Sequence, residues 1–185
     1  RDSGRSASVL SNLKNIHTQA EMYHIANDTY EGLCDDEQIA EMVSSLDASS
    51  DGAVCWVSTD TYSDYRTELA PIDFGIAANV NGTYHAAEPS GVITFDTTNT
   101  GGTQNWATAT AACADGKRLS GPSAMSAIYR IDSATPTGPT GFTAGAYWSS
   151  LESPSDPSNA YRASLASGVV GRGDRSDGRY VRCVR

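Results

Sequence analysis

Few side chains in this sequence could do chemistry beyond folding. Four cysteines stand at 34, 55, 113 and 183, and three histidines at 17, 24 and 85. The chain closes on SGVVGRGDRSDGRYVRCVR, residues 167–185. Nucleophilic catalysis needs a serine or cysteine with a base in reach. No Ser-His-Asp spacing and no paired-carboxylate motif recommends itself, and all three histidines precede residue 86. His17, Glu21 and His24 would line one helix face as a possible metal set. The span from i to i+7 is about 10.5 Å along a helix, too long for one ion. No metal, no cofactor and no enzymatic activity are therefore expected. Arg172-Gly173-Asp174 spells an integrin-type tripeptide, but chance accounts for it in a run so rich in those residues.

The cysteines bear on structure rather than catalysis. None forms a C-x-x-C pair, which argues against zinc and thioredoxin-like chemistry. An even number, in a chain poor in lysine and rich in Ser, Thr and Gly, points to an exported, oxidised protein. Four cysteines allow three connectivities, with four reduced thiols as the alternative. Cys34–Cys55 and Cys113–Cys183 is the favoured set, because each pair falls inside one of two plausible modules.

At 185 residues the chain is long enough to bury a core. Its net charge of −9 argues against nucleic acid as a partner. The charge is uneven. Residues 161–185 carry six arginines against Asp174 and Asp177, a net +4 that leaves −13 for the remainder. That reads either as a basic tip that meets a ligand or as a solvated face.

The elements that would position these residues follow from periodicity. Val9, Leu13, Ile16, Ala20 and Tyr23 recur at helical spacing, and Asn27-Asp28-Thr29 ends that helix. A second helix is predicted over 36–46 with Ile39, Met42, Val43 and Leu46 inward, and Asp35 with Gln38 as a loose capping box. Strands are predicted over 53–59, 74–78 and 92–95, with a type I′ turn at Asn81-Gly82. Helices are predicted over 106–114 and 122–131, the latter with Pro122 at its start. Loops are expected over 96–104, 133–145 and 153–157, and a short aromatic strand at Tyr147-Trp148. In the closing strand, Val181 and Cys183 should share one face and Arg182 the other. The class is α+β.

Two stretches resemble known families. RDSGRSASVLSNLKNIHTQAEMYHIANDTYEG, residues 1–32, resembles the second half of the long helix of type IV pilins and pseudopilins and its exit. The resemblance implies a preceding segment of about twenty apolar residues that anchors the subunit in the inner membrane before assembly and packs in the filament. It also implies other pilin subunits as partners, through this helix.

NWATATAACADGKRL (105–119), AYWSS (146–150) and RYVRCVR (179–185) resemble the C-type-lectin-like domains of bacterial surface proteins. Trp106, Ala109, Cys113, Gly116, Arg118, Leu119, Trp148, Ser149, Ser150 and Cys183 match by position. Ser120-Gly121 departs from the usual Pro-Thr. This resemblance supports the Cys113–Cys183 bridge. The implied architecture is an amphipathic pilin-type helix and strand region over 1–85, followed by a lectin-like ligand-display domain over 86–185 with antiparallel strands and two helices. The usual calcium-dependent sugar-binding signatures are absent.

Variable proteins of diversity-generating retroelements use this same terminal architecture. An error-prone reverse transcriptase rewrites chosen adenines in their genes. By that resemblance Arg162, Ser164, Ala166, Val169, Gly171, Gly173, Asp174, Asp177 and Arg179 would form a hypervariable ligand-binding surface. Leu165, Gly168, Arg172, Arg175, Ser176, Gly178 and the closing VRCVR would be framework. The implied function is a cell-surface or pilus-associated adhesin or receptor, with a protein or glycan ligand on another cell or phage. The alternatives are a structural minor pilin or pseudopilin of a type IV pilus or type II secretion system, and an enzyme on a formylglycine-generating-like fold.

Overall fold

A computed structural model describes residues 2–59, 71–132, 139–154 and 156–185. The loops expected over 133–145 and 153–157 therefore lie partly outside the described residues. The fold is α+β, built from four α-helices, antiparallel sheets and two disulfides. No helix among the described residues is long and apolar enough to cross a membrane.

Helix α1, Asp2–Asn27, buries Val9, Leu13, Ile16 and Ala20 completely or nearly so, as the stripe predicts. Each large apolar side chain taken from water contributes about 1.5–3 kcal/mol. Asp28, not Asn27, takes the left-handed conformation that ends the helix, at φ 55°. Helix α2, Glu37–Ser49, is capped by Asp36, whose carboxylate accepts from Ile39 N. The cap is thus one residue later than expected, because a 3-10 turn at Leu33–Asp35 uses up Asp35.

Strands β1 (Ala53–Thr59), β2 (Pro71–Val80), β3 (Thr83–Glu88) and β4 (Gly91–Thr94) form an antiparallel meander in that order. Asn81 and Gly82 both have positive φ, 51° and 84°, as a type I′ hairpin requires. Helices α1 and α2 cover one face of this sheet, packing on Phe74, Ile76 and Ala78. Helix α4 (Pro122–Ile131) covers the other, where Ala77, Tyr84 and Ala86 meet Met125 and Ile128. The approach is close enough that a Cβ at Gly75 would run into the Ala124 backbone. Residue 85 lies within β3, and the cluster under α4 draws side chains from both sides of it.

The far side of α4 meets a second antiparallel sheet, β6 (Ala146–Glu152), β7 (Asn159–Ser164) and β8 (Val170–Asp174), through Tyr161, Ala163, Leu165 and Val170. A third cluster lies behind that sheet: Ala109 of helix α3 (Trp106–Ala112), Leu119 of β5 (Arg118–Leu119), Trp148, Ala160, Val181 and the Cys113–Cys183 bridge. Strand β9, Cys183–Val184, pairs with β5, while Thr94 N donates to Arg185 O at 2.8 Å. The chain's end is thereby woven between both halves of the fold. Both disulfides join the favoured partners, with Cα atoms 5.6 and 5.5 Å apart.

Two buried charged sites hold the elements together. Glu88, 1% exposed, accepts from Gly121 N at 2.6 Å, Ser90 Oγ at 2.7 Å and Arg118 Nη1 at 2.7 Å. Asp73, 4% exposed, accepts from Ser123 N and from Ser123 Oγ. Two carboxylates from the sheet thus cap the N-terminus of α4, in place of a side chain at Gly121. Arg182 is the other site. It lies on the face opposite Val181 and Cys183, as alternation predicts, yet it is only 2% exposed. Its guanidinium donates to Asn99 Oδ1, Asp96 O and Gly141 O and lies 4.0 Å over the Phe142 ring. The strand is covered on both faces, so alternation gives no outside.

Candidate ligand-display face

Residues 162–179 are not one loop. Residues 159–174 form the β7–β8 hairpin, with Arg162 opposite both Trp148 on β6 and Gly171 on β8. Along β7, Tyr161 and Ala163 face the α4 core, so Ala160, Arg162 and Ser164 face the other way. Gly171 and Gly173 share that second face. A Cβ at Gly171 would meet only Arg162 Nη2, at 3.9 Å, whereas one at Gly173 would lie 3.2–3.3 Å from Arg179 Nη2, Arg162 Cδ and Trp148 Cη2.

Trp148 is the base of this face. It is fully buried, and its Nε1 donates to Gln104 O at 2.8 Å. Gln104 and Arg179 exchange both backbone hydrogen bonds, 2.8 and 3.0 Å. That exchange brings the Arg179 guanidinium to 5.6 Å from the Trp148 ring, where it also pairs with Asp177 at 3.0 Å. Three of the nine candidate positions, Arg162, Gly173 and Arg179, therefore gather around one indole, with Gly171 beside Arg162 and Asp177 at the rim.

The other four positions lie elsewhere on the hairpin. Ser164 Oγ accepts from Ala166 N and Ser167 N, each at 3.2 Å, and so shapes the β7–β8 turn. Ala166 and Val169 are exposed there, Val169 by 53%. Asp174 ends β8, and its carboxylate accepts from Ser176 N at 2.9 Å, which lowers its pKa. The candidate positions thus split into a patch over Trp148, a turn at one end of the hairpin and Asp174 at the other.

The basic tip does not survive as a charged patch. Arg182 is buried, Arg175 lies 3.3 Å from Glu152, Arg179 pairs with Asp177, and Arg185 faces Asp96 at 3.9 Å. Arg175 also stacks 4.4 Å over Trp106, an arrangement the sequence reading did not foresee. Its signal is the Trp106 N to Arg175 O bond of 2.9 Å, which only the folded chain creates. Arg172 lies 5.8 Å over Tyr161, on the opposite face from Gly173, so the Arg-Gly-Asp residues sit on a strand and not on a projecting loop.

Near α1, His17 lies 3.8 Å from Glu21, while His24 stacks on Tyr30 at 4.3 Å. Among the described residues no group of three potential ligands comes together around a metal position. No protein-family model matches this chain, and no curated protein matches it in sequence.

Proposed function

We propose that this is a pilus-associated or cell-surface binding protein. A pilin-type helix region, residues 1–85, would carry a C-type-lectin-like display domain, residues 86–185, and ligand would be bound by surface complementarity rather than chemistry. The observation that carries the reading is the separation of jobs around Trp148. Beneath it, Leu119, Val181 and Cys113–Cys183 are buried and covalently tied. Above it, Arg162, Gly171, Gly173 and Arg179 occupy one sheet face. Of the nine positions Ala166, Val169, Asp174 and Asp177 are exposed, where substitutions typically cost within about ±0.5 kcal/mol; Arg162, Ser164 and Arg179 are half-buried, and Gly171 and Gly173 are buried, so change there is limited by the packing around Trp148.

The reading extends to the kinship with variable proteins of diversity-generating retroelements. Diversification would act on Arg162, Ser164, Ala166, Val169, Gly171, Gly173, Asp174, Asp177 and Arg179. The ligand would be a protein or glycan on another cell or phage, and the α1 surface would meet other pilin subunits. Two disulfides point to an oxidising setting outside the cytoplasm. The genomic neighbourhood tests the proposal: a reverse-transcriptase gene and a near-copy of the 3′ coding end, with adenines at these codons, are expected. Their absence, with an invariant 3′ end across strains, would leave a structural minor pilin instead.

A further inference from the structure

The first sheet buries a different titratable group on each of its two faces. His85 on β3 stands opposite Ala78 on β2 and Thr94 on β4. Ala78 and Ala87 belong to the cluster under α1 and α2, so the imidazole lies on that side. It is 3% exposed. Its Nδ1 meets Thr94 Oγ1 at 2.8 Å, and among the described residues its buried Nε2 has no hydrogen-bond partner. Asp73 on β2 points the other way, since its neighbour Phe74 belongs to the cluster under α1. Its carboxyl meets Ser123 N and Oγ at the start of α4, where Glu88 also accepts from Gly121 N.

A proton has opposite consequences at the two sites. On His85 it makes both ring nitrogens donors. Thr94 Oγ1 accepts from one, and the other is left as part of a buried charge with no acceptor. The surrounding charges are engaged elsewhere. On α1, Arg5 pairs with Asp51 at 2.8 Å, His17 lies near Glu21 and Pro89 O, and Lys14 is exposed. On α2, Asp47 accepts from Ala53 N, and beyond β4 Asp96 pairs with Lys117. Burial alone lowers the His85 pKa, with no charge contributing. Water would relieve the imidazolium, and it enters only where α1 lifts. At Asp73 the proton removes a buried charge beside Glu88, whose own partner is Arg118. Tyr30, the other ionisable group that interacts with Asp73, is a neutral phenol with its pKa pushed up to about 12.

We infer that the first sheet is a two-sided acid-responsive device: a proton on His85 releases α1 from one face, while a proton on Asp73 holds α4 on the other. Acid thus loosens one helix and leaves the rest of the fold in place. The device does not depend on the display reading, because neither residue is a display position.

The test is amide hydrogen exchange of the whole protein between about pH 7.5 and 4.5, corrected for intrinsic rates, which reads each helix separately. Below about pH 6.5, α1 protection should fall about tenfold per pH unit, the slope of one proton, while α4 protection holds or rises. In His85→Gln, neutral at every pH, the α1 fall should vanish. In a variant carrying both His17→Gln and His24→Gln it should persist. If His85→Gln does not fold, NMR titration of the parent decides: the α1 fall should level off at the pH where the His85 ring takes up its proton. The inference is overturned if α1 and α4 lose protection together, if the fall survives in folded His85→Gln, if it vanishes in the variant at 17 and 24, or if it levels off at a pH unrelated to the His85 midpoint.

Discussion

A Cβ at Gly173 would lie 3.3 Å from Trp148 Cη2, whereas the nearest atom to a Cβ at Gly171 is an arginine tip 3.9 Å away. The two glycines share a strand and a face, yet they differ in tolerance. Gly171→Ala should change stability by no more than about 0.5 kcal/mol. Gly173→Ala must push aside Arg162 and Arg179 and should cost about 1 kcal/mol. In an Arg179→Ala background that cost should shrink, a non-additivity that a double-mutant cycle by urea unfolding will read. Full additivity would mean that the glycine and the arginine do not share space.

The two disulfides should open in order. Cys34 and Cys55 are both half-buried, while Cys113 and Cys183 are 9% and 2% exposed. Limited reductant followed by alkylation and peptide mapping should label 34 and 55 first. Removing Cys113–Cys183 as a double alanine variant should cost about 2–5 kcal/mol in chemical denaturation.

Stability should depend on pH through Asp73. Burial raises its pKa from 3.8 to about 7, with Glu88 nearby adding to the rise. The folded state therefore holds the proton more tightly than the unfolded chain. This contribution is full below pH 4 and is lost as pH climbs through 7, a change of a few kcal/mol in order of magnitude. Asp73→Asn keeps an acceptor for Ser123 and cannot ionise. It should gain stability relative to the parent between pH 4 and 8, as thermal melts across that range will record.

His85 acts in the opposite direction. It is 3% exposed, its Nδ1 lies 2.8 Å from Thr94 Oγ1, and burial lowers its pKa below 6.5. Stability from its neutral form is present above pH 6.5 and is lost as pH falls through the lowered value. NMR titration of its ring should find a midpoint below that of a free imidazole.

Arg182 should be irreplaceable by lysine. A lysine ammonium cannot reproduce the fork that reaches Asn99 Oδ1, Asp96 O and Gly141 O at once, nor the stack on Phe142. Arg182→Lys should lower Tm by several degrees. Arg182→Ala should cost about 3 kcal/mol or more, because it leaves the Asp96 and Gly141 carbonyls without this donor and Asn99 Oδ1 with only the Tyr147 hydroxyl.

Much of this fold is determined by local pattern. The α1 stripe, β1 at Ala53–Thr59, α4 at Pro122–Ile131 and the Asn-Gly turn depend on periodicity and turn chemistry within a few residues. The disulfide pairing follows from the same modular spacing. The β7–β8 hairpin was not legible in this way. Its face turned away from α4 carries Arg, Ser, Gly and Gly, which gives no hydrophobic alternation, and it is a strand because Tyr161, Ala163 and Val170 find α4. Partners distant in sequence decided the rest: Asp73 and Glu88 capping a helix that begins at 122, Arg182 buried against 96–99 and 141, and Gln104 holding Arg179 over Trp148. A charged residue's type says only that it needs a partner. Whether that partner is water or a buried carbonyl is settled when the chain closes on itself and desolvation is balanced against hydrogen bonds.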